Sequence, residues 1–181
     1  CIDSLPLEPL SQEEVDALTW MREEEFLAHD VYLTLSQQYT KPVFRNISKS
    51  ELVHTNAVKA LLDKYQLPDP AANHVLGQFS DPGLQALYTQ LVTQGSTSLL
   101  NAMIVGATIE DLDIFDLKER LLVVDNADIT QVFENLMKGS RNHLRSFYRN
   151  ILLLGGSYTP QYISQEEFDA IISSPHETGR I

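Results

Sequence analysis

The chain has 181 residues and a formal net charge of −12, which suits one domain with its own core. The acidic balance argues against nucleic-acid binding, because there is no basic stripe to neutralise phosphates. No apolar run approaches the ~18 residues of a membrane span, and a single cysteine, Cys1, rules out a disulfide framework and a cysteine-based zinc site.

Cys1 leaves two expectations for location. A mature N-terminal cysteine is what a lipid-anchored bacterial protein carries, and such an anchor at Cys1 would place the protein outside the cytoplasm. A trimmed chain end is the alternative, and it fits a cytoplasmic protein without an anchor.

The first helix is predicted to run from Ser11, where Ser-Gln-Glu-Glu forms a capping box, to about Gln38. Its apolar series has spacings of three and four residues, and one member of the series, Glu25, is charged. A buried metal ligand and a structural ion pair are both open for Glu25. Glu23 is expected to face solvent, whereas Glu24 flanks the apolar stripe.

A second helix is predicted over 42–66, with Pro42 in its first turn. Glu51 and His54 are three residues apart, so both side chains lie on one face of this helix, and that face is the apolar one. Burying a carboxylate is costly unless a partner compensates it. A metal ion is such a partner, and Glu-x-x-His is a motif with which di-iron carboxylate bundles bind it.

A long connection, residues 67–97, separates the second helix from the third and contains one short helix at about 84–94. The third long helix is predicted over about 97–123. Glu110 interrupts its apolar series, and Asp113 follows one turn later.

The fourth long helix is predicted over about 127–154, and its apolar series is interrupted by Ser140 and His143. The remaining residues, 155–181, form a tail in which a capping box at Ser164 opens a short helix.

Each long helix thus carries one polar level in an apolar stripe. Counted from the connecting turns at ~1.5 Å per residue, these levels lie at one depth. The pattern predicts an all-α protein: an antiparallel four-helix bundle over 11–154 with one long crossover, and a tail whose short helix packs on the bundle. The carboxylates and imidazoles at one depth predict a metal site. The alternative is a buried salt-bridge network in which Arg22, Arg141 or Arg145 turns inward.

Several segments resemble known metal-binding helices. Residues 25–33, in which Tyr32 follows Glu25 by seven positions, look like the first ligand helix of ferritins. Residues 44–54 are similar to the second ligand helix of rubrerythrins and ferritins. Residues 11–174 resemble an uncharacterised prokaryotic family of ferritin-like domains, through the segments 21–25, 107–114, 139–145 and 158–162.

The resemblance implies a ferritin-like fold that holds two divalent ions, iron in the first place with zinc or manganese as alternatives, and neither haem nor a nucleotide. Tyr32 becomes the candidate catalytic residue, as a hydrogen-bond donor to a ligand carboxylate. Ser140 stands where rubrerythrin-type sites have a glutamate; Asp113 or a water held by Ser140 would fill that gap, and a single ion or a zinc-filled site stays open. The implied ligands are Glu25, Glu51, His54, Glu110 and His143, with Asp113 as a sixth.

Two functions are consistent with such a site. The first is a di-iron oxidoreductase that reduces dioxygen or peroxide or oxidises ferrous iron, with electrons from a separate donor because the chain has no cysteine-rich electron-transfer module. The second is a metal-stabilised surface or interaction module without catalysis. A homodimer is compatible with both.

Overall fold

The computed structural model describes residues 5–179, and this part of the chain is all-helical. No strand occurs in it, and Val75 and Gln78 form an isolated bridge. Cys1 lies outside the described residues, so the expectation of a lipid anchor there stays a prediction. None of the helices within 5–179 is long and apolar enough to cross a membrane. The helices are α1 (Gln12–Gln38), α2 (Pro42–Lys64), α3 (Pro82–Gly95), α4 (Leu99–Leu121), α5 (Ala127–Leu153) and α6 (Gln165–Ser173).

Local side chains define the helix ends. Ser11 and Ser164 cap α1 and α6 as predicted, and Asp81 accepts a hydrogen bond from the Leu84 N–H, which starts α3 two residues before the predicted position. Ser98 caps α4, so that helix starts two residues later than predicted. α2 ends two residues early because Gln66 has a φ of 54°, outside the helical region.

The four long helices pack as antiparallel neighbours in the order α1, α2, α5, α4. Arg22 of α1 contacts Thr55 of α2, and the Tyr39 ring packs near Phe44 at the other end of the pair, so the two helices run in opposite directions. α4 and α5 form the second close pair, while α2 contacts α5 and α1 contacts α4. The connection between α2 and α4 includes α3, which packs on α1 and α4.

Two apolar clusters fill the interior, one toward each end of the helices. One contains Tyr32, Phe44 and Phe147, and the other contains Leu61 and Phe133. On α1, α2 and α5 most of the buried polar residues lie in the stretch between the two clusters, whereas Glu14, Asp30 and Asp128 lie outside it. The predicted polar level is therefore a layer across the interior with apolar side chains above and below it.

The three arginines considered for a buried salt-bridge network bind elsewhere. Arg22 is buried but donates to Thr55 and Asp69, and Arg141 and Arg145 pair with Glu177 of the tail. The salt-bridge network through arginine is therefore not the arrangement within residues 5–179.

The expectation that Glu23 faces solvent is wrong. It is buried, because the connection between α2 and α3 folds over this side of α1 and the Ser80 N–H donates to Glu23 Oε1 at 2.7 Å. The same connection is held by Asp30, which accepts from the Gly77 N–H at 2.6 Å. The segment that covers Glu23 has no regular secondary structure, so its sequence has no periodicity from which its position over α1 could be predicted.

Candidate metal centre

Five of the predicted ligands meet in the polar layer and form two groups. In each group the ligand atoms lie within 4.8 Å of one another. We call Glu25, His54 and Oε2 of Glu51 the first half-site, and Glu110, His143 and Oε1 of Glu51 the second half-site. Glu51 belongs to both.

The distances show that Glu51 lies between the two imidazoles. His54 Nδ1 is 2.7 Å from Oε2 of Glu51 and 3.2 Å from Oε2 of Glu25. His143 Nδ1 is 2.7 Å from Oε1 of Glu51 and 3.4 Å from Oε2 of Glu110. The two imidazole rings are stacked, with centroids 5.5 Å apart. The ligand atoms are thus arranged nearly symmetrically about the Glu51 carboxylate, and each imidazole ring faces a different oxygen of it.

Four helices position these side chains. α2 supplies Glu51 and His54 from one face, as their spacing predicts, and α1, α4 and α5 supply one ligand each. The His54 ring lies directly against the backbone of α5 at Gly139, where a Cβ atom would be 2.5 Å from Cε1 of the ring. Gly139 is therefore required for His54 to occupy its place.

Two hydroxyl groups support the second half-site. Tyr32 donates to Oε1 of Glu110 at 2.6 Å, as the resemblance implied, and its OH also contacts the Gly106 carbonyl at 3.3 Å. The Ser50 hydroxyl lies 3.0 Å from Nε2 of His143. This contact fixes the ring so that Nδ1 points at the carboxylates, which is the arrangement that metal-binding histidines use.

Sequence reasoning missed Ser50 and Gly139. Ser50 precedes Glu51 but its partner lies on α5, and no pattern within α2 indicates which residue it meets. A signal did exist for Gly139, since a glycine inside a helix costs ~1 kcal/mol relative to alanine and indicates a close approach.

The unpaired atoms of the centre test whether a cation fits it. Burial of ionised oxygens without a partner costs several kcal/mol each, and a divalent cation is the partner that a set of carboxylates and imidazoles can bind together. The short contacts of Glu51 lack hydrogen-bond geometry, so neither of its oxygens receives a hydrogen bond. The atoms of the two half-sites without a hydrogen-bond partner in the described structure are Glu25 Oε1, Glu51 Oε1 and Oε2, His54 Nε2, Glu110 Oε2 and His143 Nδ1.

Without a cation, protons must compensate the buried charges. Burial raises the pKa of Glu25 and of Glu110 to about 7 in each case, although a neighbouring histidine opposes the shift. Burial also acts to raise the pKa of Glu51, but the charges of His143 and His54 outweigh it and lower that pKa. Burial disfavours protonated His143, yet the charges of Glu51 and Glu110 raise its pKa to about 10. The metal-free centre therefore holds extra protons at the positions where a cation would bind.

Two further residues of the predicted site have other surroundings. Ser140 is fully buried and donates to the Leu136 carbonyl at 3.2 Å, so α5 supplies no carboxylate to the centre. Asp113 lies in neither half-site, and both its oxygens are buried and lack a hydrogen-bond partner in the described part of the chain. Glu24 belongs to neither half-site and accepts a hydrogen bond from Trp20 Nε1 at 3.1 Å, whereas Glu25 is the residue of α1 that contacts His54.

Comparison with known proteins identifies the family of the chain. It is 54% identical over 178 residues to the uncharacterized protein MJ0754 of Methanocaldococcus jannaschii, a match that covers 98% of this chain and 96% of that protein. The crystal structure of hypothetical protein MJ0754 from Methanococcus jannaschii resembles this structure with a TM-score of 0.94, covering 96% of this chain and 99% of that one. Residues 14–175 match the uncharacterized protein domain DUF2202. The expectation of an uncharacterised domain family is therefore confirmed, and the chain belongs to the DUF2202 family.

Proposed function

We propose that this protein is a ferritin-like two-metal protein, and that it acts as a di-iron oxidoreductase on dioxygen, peroxide or ferrous iron. The observation that carries the proposal is the position of Glu51, whose two oxygens each lie 2.7 Å from Nδ1 of a different histidine. Glu51 would therefore help to hold an ion in each half-site, where His54 and Glu25 on one side and His143 and Glu110 on the other would be the remaining ligands.

The arrangement of helices supports the ferritin-like part of the proposal. Di-iron carboxylate bundles use one glutamate from each of two helices and a Glu-x-x-His motif from each of the other two. In this chain Glu25 and Glu110 are the single glutamates, and Glu51 with His54 forms one complete motif. The second motif is reduced to His143, because Ser140 replaces its glutamate.

The charge of the donor set favours a bound anionic or hydroxide ligand. Three ionised carboxylates and two neutral imidazoles leave two divalent ions with a formal surplus of one positive charge. Ser140 donates to the Leu136 carbonyl, so α5 would contribute only His143 to the ligands of the ions.

The side chains of this protein would bind the ions, orient the ligands and exclude water from the centre. Two redox-active ions held by the half-sites would supply the electron transfer to an oxygen substrate. Tyr32 holds Glu110 in place through a hydrogen bond of 2.6 Å, and Ser50 orients His143. The apolar clusters on both sides of the layer exclude bulk water from the centre.

Ser140 also favours a second candidate function, a structural metal site without redox chemistry. With five ligand residues in place of the usual six, the centre has fewer carboxylates to stabilise oxidised ions, and zinc binds well to such mixed donor sets. This candidate corresponds to the metal-stabilised interaction module.

Metal analysis and anaerobic reconstitution distinguish the two candidates. Protein purified without added metal is analysed for bound ions, then stripped, loaded with ferrous iron and exposed to dioxygen while its near-ultraviolet absorption is followed. An oxygen-dependent absorption band and about two irons per chain support the oxidoreductase. Tightly bound zinc without any oxygen-dependent change supports the structural site, and a chain that binds no metal contradicts both.

The matched control is Glu134→Gln, which removes an exposed carboxylate from α5. This variant should bind metal as the unmodified protein does, whereas Glu51→Gln should bind neither ion. Equal metal content in the two variants would contradict the bridging role of Glu51.

A further inference from the structure

A second group of carboxylates lies beside the metal centre, toward the surface of α1 and α4. It consists of Glu24, Asp113 and Asp116, which we call the outer carboxylate cluster. Asp113 and Asp116 follow Glu110 at intervals of three residues, so the three acids share one face of α4. Glu24 is fully buried on α1, and its pKa is raised first by burial and then by the charge of Asp116, which is partly exposed. The cluster thus extends from the buried layer to solvent.

The buried members of this cluster have unpaired oxygens. Asp113 is 1% exposed and neither of its oxygens has a hydrogen-bond partner within residues 5–179, and Oε1 of Glu24 is in the same state. The other oxygen of Glu24 accepts from Trp20 Nε1 at 3.1 Å. Buried carboxylate oxygens without donors are costly, so these atoms require a ligand that the side chains around them do not provide.

The local charge has the size that one divalent cation would neutralise. Arg120 is the cation near Glu24, and its guanidinium lies 5.6 Å from the centre of the Trp20 ring. Burial raises the pKa of Glu24 and of Asp113, so both acids would ionise fully only around a bound cation; the three carboxylates and this guanidinium would then leave a formal surplus of two negative charges. The charges of Asp116 and Glu24 act on Tyr162 of the tail, which adds no positive charge.

We propose that the outer carboxylate cluster binds one hard divalent cation, of the Mg²⁺, Mn²⁺ or Ca²⁺ class, at a site separate from the two half-sites. Only carboxylate oxygens are offered there, which is the donor set that hard cations prefer. Glu24, Asp113 and Asp116 are not among the groups whose ligand atoms all lie within 4.8 Å of one another, so water molecules would have to complete the coordination of an ion there. The site lies between solvent and the metal centre.

Trp20 provides a direct measurement, because it is the only tryptophan of the chain and contacts Glu24. Terbium(III), a hard luminescent substitute for such cations, emits when it binds close to an excited tryptophan. In metal-stripped full-length protein, tryptophan-sensitised emission should saturate at one terbium ion per chain, and Ca²⁺ or Mn²⁺ should displace it.

Two variants and one control locate the ion. Asp113→Asn and Glu24→Gln should each weaken terbium binding about tenfold or more, and Glu24→Gln keeps an acceptor for Trp20. Glu119→Gln removes an exposed acid from the same helix and should leave binding unchanged. Asp116→Asn, at the partly exposed position, should weaken binding without endangering the fold, which circular dichroism checks in each variant.

The same variants separate this inference from the proposed function. Asp113→Asn should bind as much iron or zinc as the unmodified protein; loss of that metal would place Asp113 in the centre and overturn the separate site. Unaltered terbium emission in all three cluster variants, or emission abolished by Glu51→Gln alone, would also overturn it. If the protein binds no iron but terbium emission still depends on Asp113, the proposed function fails and the outer cation site stands.

Discussion

The two half-sites have the same donors, but the structure supports them differently. In the second half-site, Tyr32 holds Glu110 and Ser50 contacts the outer nitrogen of His143. In the first half-site, Oε1 of Glu25 and Nε2 of His54 have no hydrogen-bond partner among the described residues. His54 is instead fixed by packing against Gly139. The comparison teaches that ligand identity and ligand support are separate properties, and that the second half-site is the better preorganised one.

The largest effect is expected at the residue that the half-sites share. Glu51→Gln should remove both ions, because the amide offers one neutral oxygen where two charged oxygens face two imidazoles. The stabilisation by bound metal should disappear as well, about 2.7 kcal/mol when metal is present at a hundred times its dissociation constant. Metal content and thermal unfolding with and without metal measure both effects. A variant that loses one ion and keeps the other would show that Glu51 is not a bridge.

The next effect separates the half-sites. Glu25→Gln and Glu110→Gln each remove one terminal carboxylate, so each variant should retain about one ion. Because the second half-site is preorganised, a metal titration of the unmodified protein should show a tight and a weak phase, and Glu110→Gln should remove the tight one. Isothermal titration calorimetry distinguishes the phases. If Glu25→Gln removed the tight phase instead, the comparison would be reversed.

The position of Glu25 in this comparison is tested against its neighbour. Glu24→Ala should keep the ion of the first half-site, since Glu24 hydrogen-bonds Trp20 and Glu25 is the residue that contacts His54, whereas Glu25→Ala should lose it. Metal content measured on the two variants side by side gives the answer. Loss in Glu24→Ala with retention in Glu25→Ala would show that the other glutamate is the ligand.

Acidification should affect the metal-free and metal-loaded proteins in opposite directions. Burial raises the pKa of Glu25 and of Glu110 from 4.5 to about 7, so the folded metal-free protein binds more protons than the unfolded chain between these values. Its stability should therefore rise as the pH falls from 8 to 5, by on the order of 2 kcal/mol. The pKa of His143, raised to about 10 chiefly by Glu51 against the effect of burial, acts in the same direction above its unfolded value of 6.5.

Glu51 sets the lower limit of this window. The histidine charges lower its pKa, so its contribution to stability is present above pH 4.5 and is lost below. The metal-loaded protein should lose stability over the same range, because protons compete with the ions for their ligands. Denaturant unfolding at several pH values measures both trends. A metal-free protein that weakens steadily from pH 8 to 5 would contradict a convergent carboxylate centre.

The sequence predicted the parts of the site that depend on one helix at a time. Glu51 and His54 could be predicted because their spacing and the apolar face of α2 are properties of one helix. Glu25 and Glu110 could be predicted in the same way, as charged members of apolar series. Contacts between helices, and between a helix and a loop, could not be predicted from the sequence. Ser50 acquires its role from the position of His143, and Glu23 is buried because a loop without periodicity covers it.

The smallest effect is expected at the two supporting hydroxyl groups, and it tests the comparison most directly. Tyr32→Phe removes the donor to Glu110, and Ser50→Ala removes the contact to His143, while all five ligands stay in place. Such supporting groups change metal affinity by about 10–100-fold without abolishing binding. Both variants should therefore weaken the tight phase of the titration and leave the weak phase unchanged, so that the difference in affinity between the two phases becomes smaller. Tyr32→Phe should also alter the rate of any oxygen-dependent reaction of the iron-loaded protein, because Glu110 is then free to shift. If either variant weakened the weak phase and spared the tight one, the first half-site would be the preorganised one, and support by hydroxyl groups would not decide the order of binding.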